Sequence, residues 1–164
     1  MPELTYFPDE VLLQKADPVP EVSAEITTLS QQMLDVLHEA QGLGLAAPQV
    51  GRKLRLFVID LPNDEPRTFI NPEIIETSVE ESLLEEGCLS IPGTFAGILR
   101  PAGVRVQARN ADGKLFTVTA EGMLARVIQH ELDHLNGVLF WDHLSPRKRE
   151  RLQKKYRAPQ SLES

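Results

Sequence analysis

The stretch Gln129-His130-Glu131-Leu132-Asp133-His134 holds two histidines four residues apart, with a glutamate directly after the first. On a helix the two imidazoles project from one face about one turn apart, close enough to chelate a single ion. Glu131 then lies roughly 100° round the helix from His130, near enough to take a proton from water activated by that ion. The bland alternative is a solvated helix face that happens to carry two histidines. The neighbours Met123, Leu124, Val127, Ile128 and Leu135 argue against it, because they make the segment apolar.

A catalytic site of the zinc type takes three protein ligands and keeps a fourth position open. A metzincin protease would continue as H-x-x-G-x-x-H, but Phe140 stands where that last histidine belongs, and His143 comes three residues late. A thermolysin-like protease would draw a glutamate from a later helix. The acids that follow, Asp142, Glu150 and Glu163, sit in no helix large enough to build that domain. Cys88 remains, and it is the one cysteine in the chain. A lone cysteine is by default a small buried hydrophobe. It forms no internal disulfide, so an oxidising compartment brings no benefit. As a thiolate it is a better donor than those carboxylates. The expected metal ligands are therefore Cys88, His130 and His134, with Glu131 as the general base. Asp133, Gln129 and Glu86 are the groups placed to orient them, although a surface salt bridge is an equal reading for Asp133.

These residues need rigid elements to hold them. Apolar positions from Met123 to Leu135 predict a helix over 121–136, with Gly137 as its stop. Ile26, Leu29, Met33, Leu34, Val36 and Leu37 predict another over 21–40, ended by Gly42. Ser145 and Pro146 open a third. Between the first two, 53–60 reads as a buried strand, with Leu54, Leu56 and Val58 on one parity and Phe57 and Ile59 on the other. Short strands are expected at 68–70 and 74–80, and a hairpin of 104–110 with 114–119 around Ala111-Asp112-Gly113. This is an α+β class, with antiparallel or mixed sheets around a central metal-binding helix and a C-terminal helix.

The 164 residues suit one domain, 1–164, in which 146–164 form a basic C-terminal helix and tail. A content of 41% hydrophobic and 25% charged residues is that of a soluble globular chain. No apolar run is long enough to span a membrane, and the start of the chain lacks a signal-peptide pattern. A cytoplasmic protein is expected, and an organellar origin also fits. The net charge of −7 speaks against general nucleic-acid binding. The charge is uneven, however. Residues 147–157 hold seven basic residues and one acid, which leaves −13 on the rest of the chain.

The chain resembles the peptide deformylases, in three motifs that occur in order. Gly42-Leu43-Gly44-Leu45-Ala46-Ala47-Pro48-Gln49 is similar to the family's first motif, Glu86-Gly87-Cys88-Leu89-Ser90 to its second, and Gln129-His130-Glu131-Leu132-Asp133-His134 to its third. The resemblance covers about residues 4–150. It implies a metal-dependent hydrolase that removes the N-formyl group from the initiator formyl-methionine of nascent polypeptides and releases formate. It implies that Gln49 and the Leu89 N–H hold the formyl oxygen. The Gly44 segment would pair with the substrate peptide as an added strand. Ferrous iron is the metal implied, with zinc, nickel or cobalt as substitutes. Leu43, Leu89, Val127 and Ile128 lie beside the motifs as candidates for the methionine pocket, core packing being the competing reading for Ile128. Some relatives carry a basic residue near the position of Phe95, so contacts beyond the formyl-methionine differ here. The family's C-terminal helix suggests a ribosome contact for 147–157, which truncation after Ser145 should remove while sparing hydrolysis of short peptides. The alternatives are a small zincin-type peptidase and a metal-binding relative without activity.

Overall fold

The computed structural model describes residues 2–159, so the last five residues of the expected 146–164 segment lie outside the described residues. Helix α1 spans Ala24–Ala40. Its start is later than 21 because Ser23 is the cap, accepting a hydrogen bond from the Ile26 N–H. Its stop is Gln41, which takes the left-handed conformation at φ 58° and donates to the His38 and Leu37 carbonyls. Gly42 is glycine for a different reason. A Cβ there would sit 2.8 Å from Leu89 Cδ1 and 2.9 Å from Leu37 Cδ1.

Seven strands follow. They are β1 (Gly44–Ala46), β2 (Leu56–Ile59), β3 (Arg67–Thr77), β4 (Glu81–Cys88), β5 (Ile91–Pro101), β6 (Gly103–Arg109) and β7 (Leu115–Glu121). Five form one antiparallel sheet in the order β1-β2-β3-β6-β7, while β4 and β5 form a separate antiparallel hairpin. The expected strands at 68–70 and 74–80 are one strand, β3, broken in register by bulges between Ile70 and Glu73 and between Ile74 and Glu76. The last residues, Ser78 to Glu80, turn toward β4 instead of extending β3.

Every residue of β2 is buried, and its two parities explain why. Leu56 and Val58 face α1, in a core with Leu29, Met33 and Leu37. Phe57 and Ile59 face the other way, into a core with Val106, Ile128, Leu132 and Leu135. That second core is roofed by α2, Gly122–Leu135. Gly137 ends α2 at φ 72°, where a Cβ would come 2.8 Å from the Leu13 carbonyl oxygen. A third core joins the two ends of the chain to the hairpin through Leu12, Ile91, Ile98, Phe140, Trp141 and Tyr156. Helix α3, Pro146–Lys155, begins at the Ser145 cap, whose side chain accepts from the Lys148 N–H. The class is α+β, as expected. No helix among the described residues is long and apolar enough to cross a membrane.

Candidate metal centre

Helix α2 and the β4–β5 hairpin bring the candidate ligands together. His130 and His134 come from consecutive turns of α2, and Cys88 is the last residue of β4. One donor atom from each lies within 4.8 Å of the other two. Cys88 Sγ is 3.3 Å from His134 Nε2. His130 donates from Nδ1 to Glu86 Oε1 at 2.8 Å, which leaves its Nε2 lone pair for an ion. These are the contacts of a mononuclear site with two imidazoles and one sulfur.

The surroundings fit a divalent cation. Glu86 and Asp133 are paired with Arg100 and Arg126 beside the centre, and the three donor atoms include a sulfur that a cation would hold as thiolate. Burial opposes a charge on His130, yet Cys88, Glu86 and Glu131 together raise it well above its ordinary value. That pull marks a centre rich in negative charge. Burial pushes His134 the other way, well below its ordinary value and toward the neutral form a metal needs. Its Nδ1 and Glu131 Oε1 are buried without hydrogen-bond partners among the described residues.

Glu131 is only 3% exposed. Burial pushes its carboxyl up to about 7, the range in which a carboxyl can serve as base and then as acid near neutral pH. Its position depends on Gly44 in the edge strand β1. A Cβ on Gly44 would meet Val127 Cγ1 at 2.7 Å and Glu131 Oε2 at 2.9 Å. Gly44→Ala should therefore push the carboxylate aside and leave the ligands in place. A displacement of about 1 Å can cost on the order of 100-fold in rate. That loss in kcat/KM, with metal content unchanged, is the expected result. An alanine variant with the parent kcat/KM would show that this close approach has no role.

Gln49 is 1% exposed, on a short 3-10 turn, Ala47–Val50, after β1. Its Oε1 accepts from the Ala46 N–H at 2.9 Å, which fixes the amide so that Nε2 points at Ser90 Oγ (3.2 Å) and Cys88 Sγ (3.6 Å). The amide thus offers N–H groups on the side of the cysteine. Leu89 lies in the tight turn between β4 and β5, one residue past Cys88.

Glu86 anchors the candidate ligand His130. It accepts a fork from Arg100 at 2.6 and 2.9 Å and a further bond from Arg126 at 2.7 Å. Burial works against its charge, but the hydrogen bonds from Arg100 and His130 hold its carboxyl well below the usual carboxylate range. Asp133 does not touch a ligand. It binds Arg100 at 2.8 Å and His143 at 2.8 Å, one step further from the metal residues. Gln129 does not touch one either, and donates to the Pro101 and Ala125 carbonyls.

A cleft of about 470 Å³ opens beside the centre, lined by Leu43, Gly44, Leu89, Val127 and the face of Glu131. Ile128 lies outside it, fully buried under the sheet, so core packing is its role. The sequence reading missed Met123, Arg126 and Ile91 as lining residues, and left Phe95 as a difference from relatives without placing it in the cleft wall. Met123 was open to discovery, since it precedes Val127 by one helical turn. Arg126 gave no signal, because a single arginine in an apolar helix has many possible partners.

Comparison with known proteins agrees with this geometry. The family model for polypeptide deformylase matches residues 1–150. The peptide deformylase of Mesorhizobium japonicum is 48% identical over 158 residues, covering 94% of this chain and 90% of the relative. The crystal structure of a peptide deformylase from Legionella pneumophila superposes with a TM-score of 0.89 at 44% identity, covering 94% of this chain and 92% of that one. That of Ehrlichia chaffeensis peptide deformylase in complex with actinonin gives 0.91 at 39% identity, with 94% and 95% covered. The chain belongs to the polypeptide deformylase family.

Proposed function

We propose that this protein hydrolyses the formyl amide at the N-terminus of formyl-methionyl polypeptides, yielding formate and a free amine. The observation that carries the reading is the meeting of Cys88, His130 and His134 around one point with Glu131 buried beside it. Residues 1–164 act as one catalytic domain, and Cys88, His130 and His134 hold the metal. A metal held there would supply a Lewis acid, able to lower the pKa of water and to polarise the formyl carbonyl.

The remaining steps belong to the chain's own residues. Glu131 takes the proton from the attacking water. As the tetrahedral centre forms, negative charge builds on the former carbonyl oxygen. The Gln49 Nε2–H and the Leu89 N–H donate to that oxygen, from a fixed amide and a tight turn, so little reorganisation is needed. The C–N bond then breaks, and Glu131 passes its proton to the departing amine. Leu43, Leu89, Val127 and Met123 line the cleft as the apolar wall for the unbranched methionine side chain. Gly44, at the open edge of the five-stranded sheet, lets the substrate backbone pair alongside β1. The direct test is formate release from short formyl-Met peptides, compared with their acetyl counterparts. Equal hydrolysis of both, or of neither, removes the reading.

Ferrous iron is the native metal in this reading. A thiolate donates more charge than imidazole and so softens the Lewis acid relative to a site of three histidines. Protein purified without oxygen should carry iron and lose activity in air, through oxidation of the iron or of Cys88, while the nickel form persists. Equal half-lives for the two forms in air would exclude iron as the better assignment.

We read the protein as cytoplasmic and as meeting its substrate at the ribosome through α3. Arg147, Lys148, Arg151, Lys154, Lys155 and Arg157 are exposed on or beside it. Truncation after Ser145 is a poor test, contrary to the expectation from the sequence. Tyr156 is 8% exposed and donates its hydroxyl to the Phe7 carbonyl at 2.9 Å, and its ring packs against Trp141 and Phe7. Removing it would open a core. Reversing Lys148, Arg151 and Lys155 to glutamate leaves that core intact. Such a variant should keep its activity on short peptides and lose salt-sensitive co-sedimentation with ribosomes. Unchanged co-sedimentation would reduce α3 to a solubilising helix.

A further inference from the structure

Among the described residues, the hairpin that carries Cys88 shares no backbone ladder with the five-stranded sheet. Short connections to β3 and β6 tether its far end, and side-chain hydrogen bonds hold it against α2. Among the described residues, Arg126 makes more of these links than any other residue of α2. Its guanidinium donates to Glu86 Oε2 at 2.7 Å, to the Ile98 carbonyl at 2.8 Å and to the Ser82 carbonyl at 2.7 Å. Ser82 and Glu86 belong to β4 and Ile98 to β5, so one buried group grips both strands. Arg126 lies one helical turn before His130, about 6 Å along α2. Glu86 lies two residues before Cys88, about 6.7 Å along the strand.

We infer that Arg126 is a positioning residue that sets the distance between the cysteine ligand and the two histidine ligands. The inference rests on the metal-site reading above. Glu86 already has Arg100 as a bidentate partner, so neutralising Glu86 does not require Arg126. What Arg126 adds is the two carbonyl contacts, made from two separate nitrogens of one rigid fork: one reaches Glu86 and Ile98, the other Ser82. A lysine has a single nitrogen and cannot occupy both positions.

The test uses the protein loaded with Co²⁺, whose thiolate-to-cobalt charge-transfer band reports on the Cys88–metal bond. Affinity is measured by competition with a chelator. The band must be present in the parent and absent from Cys88→Ala. If the parent lacks it, the metal-site reading fails, and the fault does not lie with Arg126. Given the band, Arg126→Met and Arg126→Lys should each weaken Co²⁺ binding by roughly 10–100-fold and diminish or shift the band. Val106→Ala, in the core beneath the sheet and away from the hairpin, supplies a destabilised control that should change neither. Should Arg126→Met fail to fold, Arg126→Lys decides alone. Full affinity and an unchanged band in Arg126→Lys would overturn the inference, and so would an equal loss in Val106→Ala.

Discussion

Cys88→Ala should yield a folded protein that holds no stoichiometric metal and releases no formate. The fold survives because Cys88 is only partly buried at the end of β4 and its side chain is a minor part of the core around Ile91 and Trp141. The metal does not. Losing a mere orienting partner of a ligand costs roughly 10–100-fold in affinity, and losing a ligand atom costs more than that. It also removes the one donor of the three that can bind an ion as an anion. Serine is a harder test than alanine. Its hydroxyl stays protonated near neutral pH, so it offers an oxygen without the charge, and Cys88→Ser should behave like alanine in metal content. Metal analysis after desalting decides the point. One equivalent of metal in either variant, with activity kept, would remove Cys88 from the centre.

Much of this site was legible in the residues, for a physical reason. Chelation by two side chains four apart needs only a helix, and the apolar positions from Met123 to Leu135 demand one. Gly44 and Gln49 came from the family's first motif. Their reasons emerged only in three dimensions, as the 2.9 Å approach of a Gly44 Cβ to Glu131 and the amide lock on the Ala46 N–H. The hairpin β4–β5 went unread. Most of β4 is exposed or half-exposed and carries three glutamates, so it shows no clean period of two. In β5, Pro92, Gly93, Gly97 and Pro101 read as breakers. The strands pair even so, because their inner face is held by the buried ion pairs of Glu86, Arg100 and Arg126 as well as by the apolar burial of Ile91 and Ile98. Sequence patterning reports hydrophobic periodicity. It is silent about an element that docks through buried charge, since the partners Glu86, Arg100, Arg126 and Asp133 are scattered over 48 positions.

The same distinction between holding the ion and moving the proton gives the second large effect. Glu131→Gln should keep its metal and lose about 10²–10⁴-fold in kcat. Glutamine has the same shape, and Glu131 is not among the three ligands, so the donor set is untouched. The change is also mild for the fold. Burial already pushes the Glu131 carboxyl up to about 7, and a neutral amide suits that site. What is lost is the base. An amide nitrogen cannot take the water proton, and an amide oxygen is too weak a base to hold it and return it to the leaving amine. The loss should therefore fall on kcat, with KM for formyl-Met peptides little changed, because Gln49, Leu89 and the apolar wall still receive the substrate. Glu131→Asp separates charge from reach. It restores a carboxylate one methylene short, beside Gly44, and should recover part of the rate. The measurement is single-turnover formate release at matched metal occupancy. A Gln variant with the parent rate would show that the proton travels by another group. A variant that loses its metal would instead make Glu131 part of the ion's binding site.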